Sequence, residues 1–408
     1  MSPLKTTGLP ATRERLFTAN FYYMCAANFL LSFAFYLLIP TLPFYLIETM
    51  QMSKTMVGVS LSCYTLAVLL VRPFSGFIAD TFARKPLYLL SCILFTFALI
   101  GYLPATTILL FIILRFFHGM SFGILTTTGN TLVIDIMPSA RRGEGLGYFG
   151  ITGNLAMATG PMVGLFLHAH LDFYWIFVSA IVAGIAGTVF AALVKTTARA
   201  TIKKQPLSLD RFVLLKGLPA GFAFLLLAIP YSMTTSYMAL SVANLPFHGN
   251  SGLFFTVMSL GLILSRLSSG KQVDRGFVTQ TIRKGIFIGV VGFVGEIFLY
   301  NLIQVSPVAG AVLFYAIAAC IGYGFGTLFP AWNTLFINLA PNDRRATANS
   351  TYLTGWDVGV GIGIYLGGHL AEVKSFSFAF AVGTAFALSA LIFFLCYVTP
   401  HFQKNKLR

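Results

Sequence analysis

The chain contains its own sequence twice, and this duplication restricts its fold more than any other feature. Gly119–Arg142 reads GMSFGILTTTGNTLVIDIMPSARR, and 203 residues later Gly322–Arg345 reads GYGFGTLFPAWNTLFINLAPNDRR, identical at 11 of 24 positions. Arg72, Gly76 and Asp80 recur at Arg266, Gly270 and Asp274, 194 residues on. A period of half the chain is far longer than the roughly 20–50 residues of a solenoid unit, so it indicates two homologous halves instead of an array. Paired halves built of apolar segments are the pattern of secondary transporters, whose substrate site lies between the repeats.

The halves belong in a bilayer. At 57% hydrophobic and 10% charged residues, with a mean hydropathy of +0.82, the chain has too little charge to cover a water-facing surface. Crossing about 30 Å of hydrocarbon takes roughly 20 residues of helix. Apolar runs of that order lie near 17–47, 56–79, 86–104, 106–137, 145–168, 172–194, 217–245, 250–273, 284–304, 307–340, 346–370 and 375–399. They are continuous and not alternating, so only helices satisfy their backbone groups in lipid. The expectation is an all-α integral membrane protein of twelve transmembrane helices in two pseudo-symmetric six-helix halves. The halves are residues 1–194 and 217–408, joined by a basic linker at 195–216 with a short interfacial helix around Leu207–Leu215.

Charge orients the segments. Counted over alternate loops, 22 Lys and Arg residues fall on one side and two, Lys54 and Lys374, on the other, while Arg72, Arg115 and Arg266 lie inside helices. Cytoplasmic loops retain basic residues, so both termini are expected in the cytoplasm of a multi-pass protein of the inner (plasma) membrane. The net charge of +15 is then a topology signal. A nucleic-acid surface would need basic residues gathered on one folded face with a binding motif, and neither is present.

Other chemistries lack their residues. The five cysteines, Cys25, Cys63, Cys92, Cys320 and Cys396, fall inside predicted helices without CxxC spacing, which suits packing and not metal or disulfides. No P-loop and no HExxH occurs, so an enzyme or a nucleotide-driven pump is not expected, and no cofactor is. Lys5, Arg13 and Arg15 precede a long apolar run without a small-residue cleavage site, as in an uncleaved first helix.

Gly76–Lys85, GFIADTFARK, resembles the loop between helices 2 and 3 of the major facilitator superfamily, departing from it at Thr81 and Ala83. Its second-half copy GKQVDRG keeps Asp274 and Arg275. Arg115, His118 and Gly119 in the fourth segment are similar to the family's Arg-x-x-Gln-Gly element, with His118 in the glutamine position. Gly147, Gly160, Pro161 and Gly164 in the fifth resemble the Gly-Pro pattern of drug:proton antiporters, with Ala156 and Leu165 in place of two of its glycines. The resemblance implies that Asp80 meets segment 11 across the halves and that Arg84 pairs with Asp135. Gly76, Asp80, Arg84, Asp135, Asp274 and Arg275 are then a conformational latch remote from substrate. It also implies that the Gly-Pro element seals the path against leak. The small residues of segments 5 and 11, including Gly153, Gly361, Gly363, Gly367 and Gly368, let backbones approach, and Gly160, Pro161 and Gly164 are expected at a hinge surface between rocking halves.

Ionisable groups deep in a membrane are costly and point to function. Arg115 lies about 13 Å into its segment by helical rise and has Ala318 at the repeat position, so the shared fold does not require its charge. His118 follows on the same face and is expected to share a proton with Arg115 or a carboxylate. Asp357 is the leading proton carrier, because its repeat equivalent is Asn154, which satisfies the fold without charge. Its expected alternative is a salt bridge to Arg115. Glu296 is equally deep, but the family arrangement puts segment 9 outside the bundle. The first segment has no acidic residue between Phe17 and Ile47, unlike many drug antiporters.

If segments 1, 4, 7 and 10 wall the cavity as in the family, its residues include Asn28, Tyr36, Asn130, Tyr231, Tyr237, Trp332 and Asn333, with Pro230 and Pro330 breaking two helices. Aromatic walls with few polar groups suit a moderately apolar organic ligand. The reading is a monomeric secondary transporter in a lipid bilayer, exporting a small-molecule substrate in exchange for protons. An uptake symporter for a sugar or organic anion is the alternative, and a non-transporting membrane sensor a distant one.

Overall fold

The structure, a computed structural model, describes residues 15–138, 141–196, 213–246, 249–341 and 345–407. The helices are α1 Ala19–Leu38, α2 Leu42–Glu48, α3 Lys54–Thr81, α4 Arg84–Gly101, α5 Ile108–Ile136, α6 Arg142–His170 and α7 Phe173–Leu193, then α8 Leu218–Val242, α9 Ser251–Asp274, α10 Val278–Val305, α11 Pro307–Leu339, α12 Arg345–Val373, α13 Phe376–Phe393 and α14 Thr399–Asn405. With α1 and α2 as one span and α14 as the tail of α13, the described residues form twelve long helical runs. Ten are apolar and long enough to cross a membrane by length and composition. The other two are α9, whose apolar stretch is Ser251–Arg266, and α12, which carries Asp357, His369 and Glu372. Most of the interfacial helix expected around Leu207–Leu215 lies outside the described residues. What is described there is a tight turn at Leu215–Gly217.

Local chemistry sets the helix starts. Thr18, Ser53, Thr107, Ser306 and Ser375 each accept from a backbone N–H three residues on, which satisfies one of the orphan donors of a first turn. The prolines do not break their helices as expected. α8 runs through Pro230 and α11 through Pro330, and the hydroxyls of Thr234 and Thr334 donate to the Pro230 and Pro330 carbonyls at 3.0 and 2.9 Å. Packing on neighbouring helices holds both straight enough to continue.

Two hydrophobic clusters hold the helices together. One runs from Leu16 to Val194 with Tyr237 and Ile364 added. The other runs from Leu214 to Phe402 with Phe44, Met157 and Leu165 added. α1 packs on α6 and α7, and α5 on α3 and α4; in the second set α11 packs on α9 and α10, and α8 on α12 and α13. Large apolar side chains such as Leu90, Ile93 and Phe97 on α4 and Phe287 and Phe298 on α10 stay exposed. This outward apolar face is the one a bilayer would cover. The two sets meet along two seams, α3 against α12 and α6 against α9.

Candidate functional site

The α3–α12 seam is closed along its length. Arg72 Nε meets Asp357 Oδ2 in an ion pair whose side chains are 10% and 11% exposed. Toward one end Gly361 lies beside Thr65, and Gly58 beside the Ile364 and Tyr365 carbonyls. At that end the Thr55 N–H donates to Glu372 Oε2 at 2.6 Å, the Thr55 hydroxyl meets His369 Nδ1 at 3.2 Å, and Lys54 Nζ donates to the Ala371 carbonyl at 3.4 Å. A side chain at Gly368 would collide with the Lys54 carbonyl oxygen. Asp357 therefore pairs with Arg72 and not with Arg115 as expected. The reason is packing: α12 lies on α3, which puts Arg72 at the level of Asp357, while α5 lies behind α3.

Arg115 ends instead over the Tyr64 ring, 4.5 Å from its centroid. It is 6% exposed and, among the described residues, has no carboxylate in ion-pair range. A desolvated cation on an aromatic face gains about 2 kcal/mol. His118 is fully buried, with Nδ1 at 2.8 Å from the Tyr102 hydroxyl and its ring edge-on to Phe95 and Tyr64. It shares its hydrogen bond with a tyrosine, neither with Arg115 nor with a carboxylate, because the ring is held between Phe95 and Tyr64 with Tyr102 at its Nδ1. The Tyr64 hydroxyl and His118 Nε2 are buried with no partner.

At the α6–α9 seam, Gly252 approaches the Met162 backbone, and Arg266 Nη1 lies 3.8 Å from where a Gly150 Cβ would sit. Arg266 is half-buried, with its Nε unpartnered. Tyr36 of α1 and Tyr352 of α12 are its electrostatic neighbours. Asn154, one turn beyond Gly150 on the same face of α6, is 9% exposed, and its Nδ2 has no acceptor. Tyr36 also packs against the cluster that holds an aromatic group: the Tyr231 ring is tilted against Phe325 at 4.4 Å and Trp356 at 5.1 Å, and Phe329 meets Trp356 edge-on at 4.9 Å.

The remaining sequence candidates are dispersed. Glu296, 1% exposed, lies 2.6 Å from the Thr234 hydroxyl within the second cluster of helices. Asn28 donates to the Phe149 carbonyl and Thr152 hydroxyl, tying α1 to α6. Tyr36 and Tyr231 lie at the junction of the two sets; Tyr231 donates toward Met157 Sδ at 3.9 Å. Asn130 is exposed. Three expected wall residues turn out to be packed. Tyr237 donates to the Ile364 carbonyl at 2.9 Å, Trp332 is fully buried and donates to the Ala220 carbonyl at 3.2 Å, and Asn333 faces Asn349. Large aromatic residues on inward helices bury themselves against a neighbour when one is near.

Gly160 and Gly164 face α1: a Cβ at either would meet the backbone of Leu37 at 2.8 and 2.5 Å. α6 continues through Pro161. The close approach expected between halves is thus made inside one set, while Gly150, Gly361 and Gly368 face across. Arg84 grips both Asp135 oxygens at 2.8 Å. Arg275 is exposed; the side chains of Asp80 and Asp274, and the surroundings of Gly76, lie outside what is described. Among the described residues no cluster of His, Cys, Asp or Glu is placed to hold a metal. Arg72 and Arg266 are not among the sites expected from sequence, and their recurrence 194 residues apart is the signal that points to them.

A family model described as Major Facilitator Superfamily matches residues 24–357 and 281–408. The putative multidrug resistance protein MdtD of Salmonella paratyphi B (strain ATCC BAA-1250 / SPB7) is 25% identical over 234 residues, 57% of this chain and 48% of the relative. The chain spans about half the length of the curated relatives it matches. An uncharacterized MFS-type transporter of Mycobacterium tuberculosis (strain ATCC 25618 / H37Rv) is 32% identical over 131 residues, 32% of this chain and 23% of the relative. Among solved structures, the nucleoside transporter NupG superposes with a TM-score of 0.77 at 14% identity, covering 92% of this chain and 99% of that one. A peptide transporter POT in complex with sulfate gives 0.78 at 14% identity, covering 95% of each. At such identities the structural likeness is one of fold.

Proposed function

Because the chain belongs to the Major Facilitator Superfamily, a superfamily of transporters, we propose that it exports a small organic compound across the plasma membrane in exchange for protons, by alternating access. The observation that carries this reading is the buried Arg72–Asp357 pair between α3 and α12. A carboxylate there is held against a cation on the opposing body, so the bodies cannot part at this seam without separating the charges. Breaking a buried pair by removing one partner typically costs about 3–5 kcal/mol. Protonation of Asp357 removes the attraction and leaves a neutral acid.

The cycle follows. With Asp357 ionised, the pair and the Lys54, Thr55, His369 and Glu372 contacts keep the non-cytoplasmic end shut, and substrate enters from the cytoplasm. Both termini face the cytoplasm in this scheme, by the charge asymmetry of the loops. Substrate binding drives the bodies past the barrier, and once outside water reaches the seam, Asp357 takes a proton as substrate leaves. Return delivers the proton inward, and the pair with Arg72 reforms. The Arg84–Asp135 fork at the cytoplasmic end of α4 and α5 anchors a loop whose geometry biases one conformation, in the manner of a latch. Residues 1–194 and 217–408 act as the two moving bodies.

The test uses purified protein in liposomes and a panel of anionic, neutral and cationic organic compounds. Asp357→Asn is expected to abolish accumulation driven by a proton gradient and to preserve substrate exchange at equilibrium, which needs alternating access but no proton release. Retention of full proton coupling in Asp357→Asn would sink the assignment, and transport without opposing proton movement in the unaltered protein would sink the antiport.

A further inference from the structure

The two seams are copies of each other, and only one is charge-balanced. Arg72 recurs as Arg266, and Asp357 has Asn154 as its repeat equivalent. The first pair is cation and carboxylate in contact. The second has the cation without the carboxylate, so Arg266 and Asn154 both present donors to the same seam. Neither Arg266 Nε nor Asn154 Nδ2 has an acceptor, and no carboxylate among the described residues reaches Arg266. A cation in a membrane-spanning helix is costly, and an unpartnered buried amide adds to that cost. Helix packing gives no reason for the guanidinium, because the face of α6 opposite it is Gly150, which leaves room and offers no side-chain acceptor.

We propose that Arg266 and Asn154, with the hydroxyls of Tyr36 and Tyr352, bind the anionic group of an organic substrate, a carboxylate or phosphate whose apolar body lies on Tyr231, Phe329 and Trp356. This rests on the transporter reading above and names the substrate class. The guanidinium offers a planar fork that fits two oxygens of either group, and the amide and phenols supply further donors. The aromatic residues are continuous with the clamp: Tyr36 packs against the second cluster, and Tyr231 touches Trp356, which touches Phe329. Loading the clamp makes the α6–α9 seam charge-matched, as ionised Asp357 makes α3–α12. Tyr352 lies five residues before Asp357 on α12, so the clamp and the ion pair share that helix.

The test measures binding at equilibrium, without a gradient, in a neutral detergent free of anionic lipid. The probes are benzoate, phenyl phosphate and inorganic phosphate, with benzamide as the uncharged match of benzoate. Benzoate or phenyl phosphate is expected to raise the unfolding temperature and quench Trp356 fluorescence, and benzamide to do neither. Arg266→Gln should weaken that binding roughly tenfold or more, as loss of a charged hydrogen bond does; Arg266→Lys should weaken it less. Arg275→Gln, on an exposed residue, should leave it unchanged. Asn154→Asp puts a carboxylate beside Arg266, and should raise the unfolding temperature by itself and abolish the response to benzoate. The proposal is overturned if neither organic anion binds the unaltered protein, if benzamide binds as well as benzoate, or if Arg266→Gln or Asn154→Asp binds like the unaltered chain. Inorganic phosphate binding equal to that of phenyl phosphate would overturn the aromatic part of the site. Loss of proton coupling with this binding intact would instead fault the antiport reading.

Discussion

The α3–α12 and α6–α9 seams descend from one repeated unit but close by different means. α3–α12 has a buried ion pair at mid-seam and backbone and side-chain hydrogen bonds at Lys54, Thr55, His369 and Glu372. α6–α9 has close backbone approach at Gly252 and a lone guanidinium facing Gly150 and the amide of Asn154. Duplication gives the two seams equivalent helices; packing and side chains then make them unequal. One seam is latched by the chain's own charge, and the other awaits charge from elsewhere. In the cycle proposed above this asymmetry gives the two seams different controls: a proton releases one and a ligand balances the other.

The largest effect is expected where charge is left bare. Asp357→Ala strands Arg72 in a buried seam and should cost about 3–5 kcal/mol of stability. Asn154→Ala, which removes an amide already lacking an acceptor, should cost well under half of that. Unfolding of both variants in the same detergent checks the difference. Equal losses would mean that the seams are not energetically distinct.

Overpacking separates seam from body with a smaller effect. Gly368→Ala pushes on the Lys54 carbonyl across α3–α12, and Gly160→Ala on the Leu37 backbone inside the first set of helices. Each should cost about 1–3 kcal/mol. Gly368→Ala alone is expected to speed labelling of a single cysteine placed at Thr65 by a water-soluble reagent from outside, because it opens the seam. Faster labelling in Gly160→Ala as well would place that helix pair in the moving interface after all.

The smallest change is at the rim. Glu372→Gln keeps an acceptor for the Thr55 N–H and loses only charge in an exposed position, so labelling at Thr65 should rise slightly and proton coupling should persist. Loss of coupling in this variant would move the proton site from Asp357 to the rim.

Much of the architecture was legible because bilayers impose a one-dimensional rule. Segments expected at 106–137 and 307–340 appear as Ile108–Ile136 and Pro307–Leu339, since helix length follows from apolar run length. The Arg84–Asp135 fork was legible only through resemblance, because its residues lie on different helices. Burial of the candidates was less legible. Trp332 and Asn333 are neighbours in sequence, and nothing local says that the indole fills a packed gap on Ala220 while the amide faces Asn349. Gly160 and Gly361 are both small residues in repeated helices, but only the helix in contact decides that one faces its own set and the other faces across.

Sequence alone determined the helical class, the repeat and the residues with charge at membrane depth, because hydropathy, periodicity and ionisation are properties each residue has before folding. Tertiary structure decided who meets whom. Asp357 was identifiable as a buried acid, but its choice of Arg72 over Arg115 depends on α12 lying against α3 with α5 behind it. Arg266 was visible as a repeat of Arg72, yet its lack of a counter-charge among the described residues appears only when α9 is set against α6 and the facing residue proves to be Gly150. Ion-pair energies depend on separations of a few ångströms and on burial, and neither exists until distant segments are brought together.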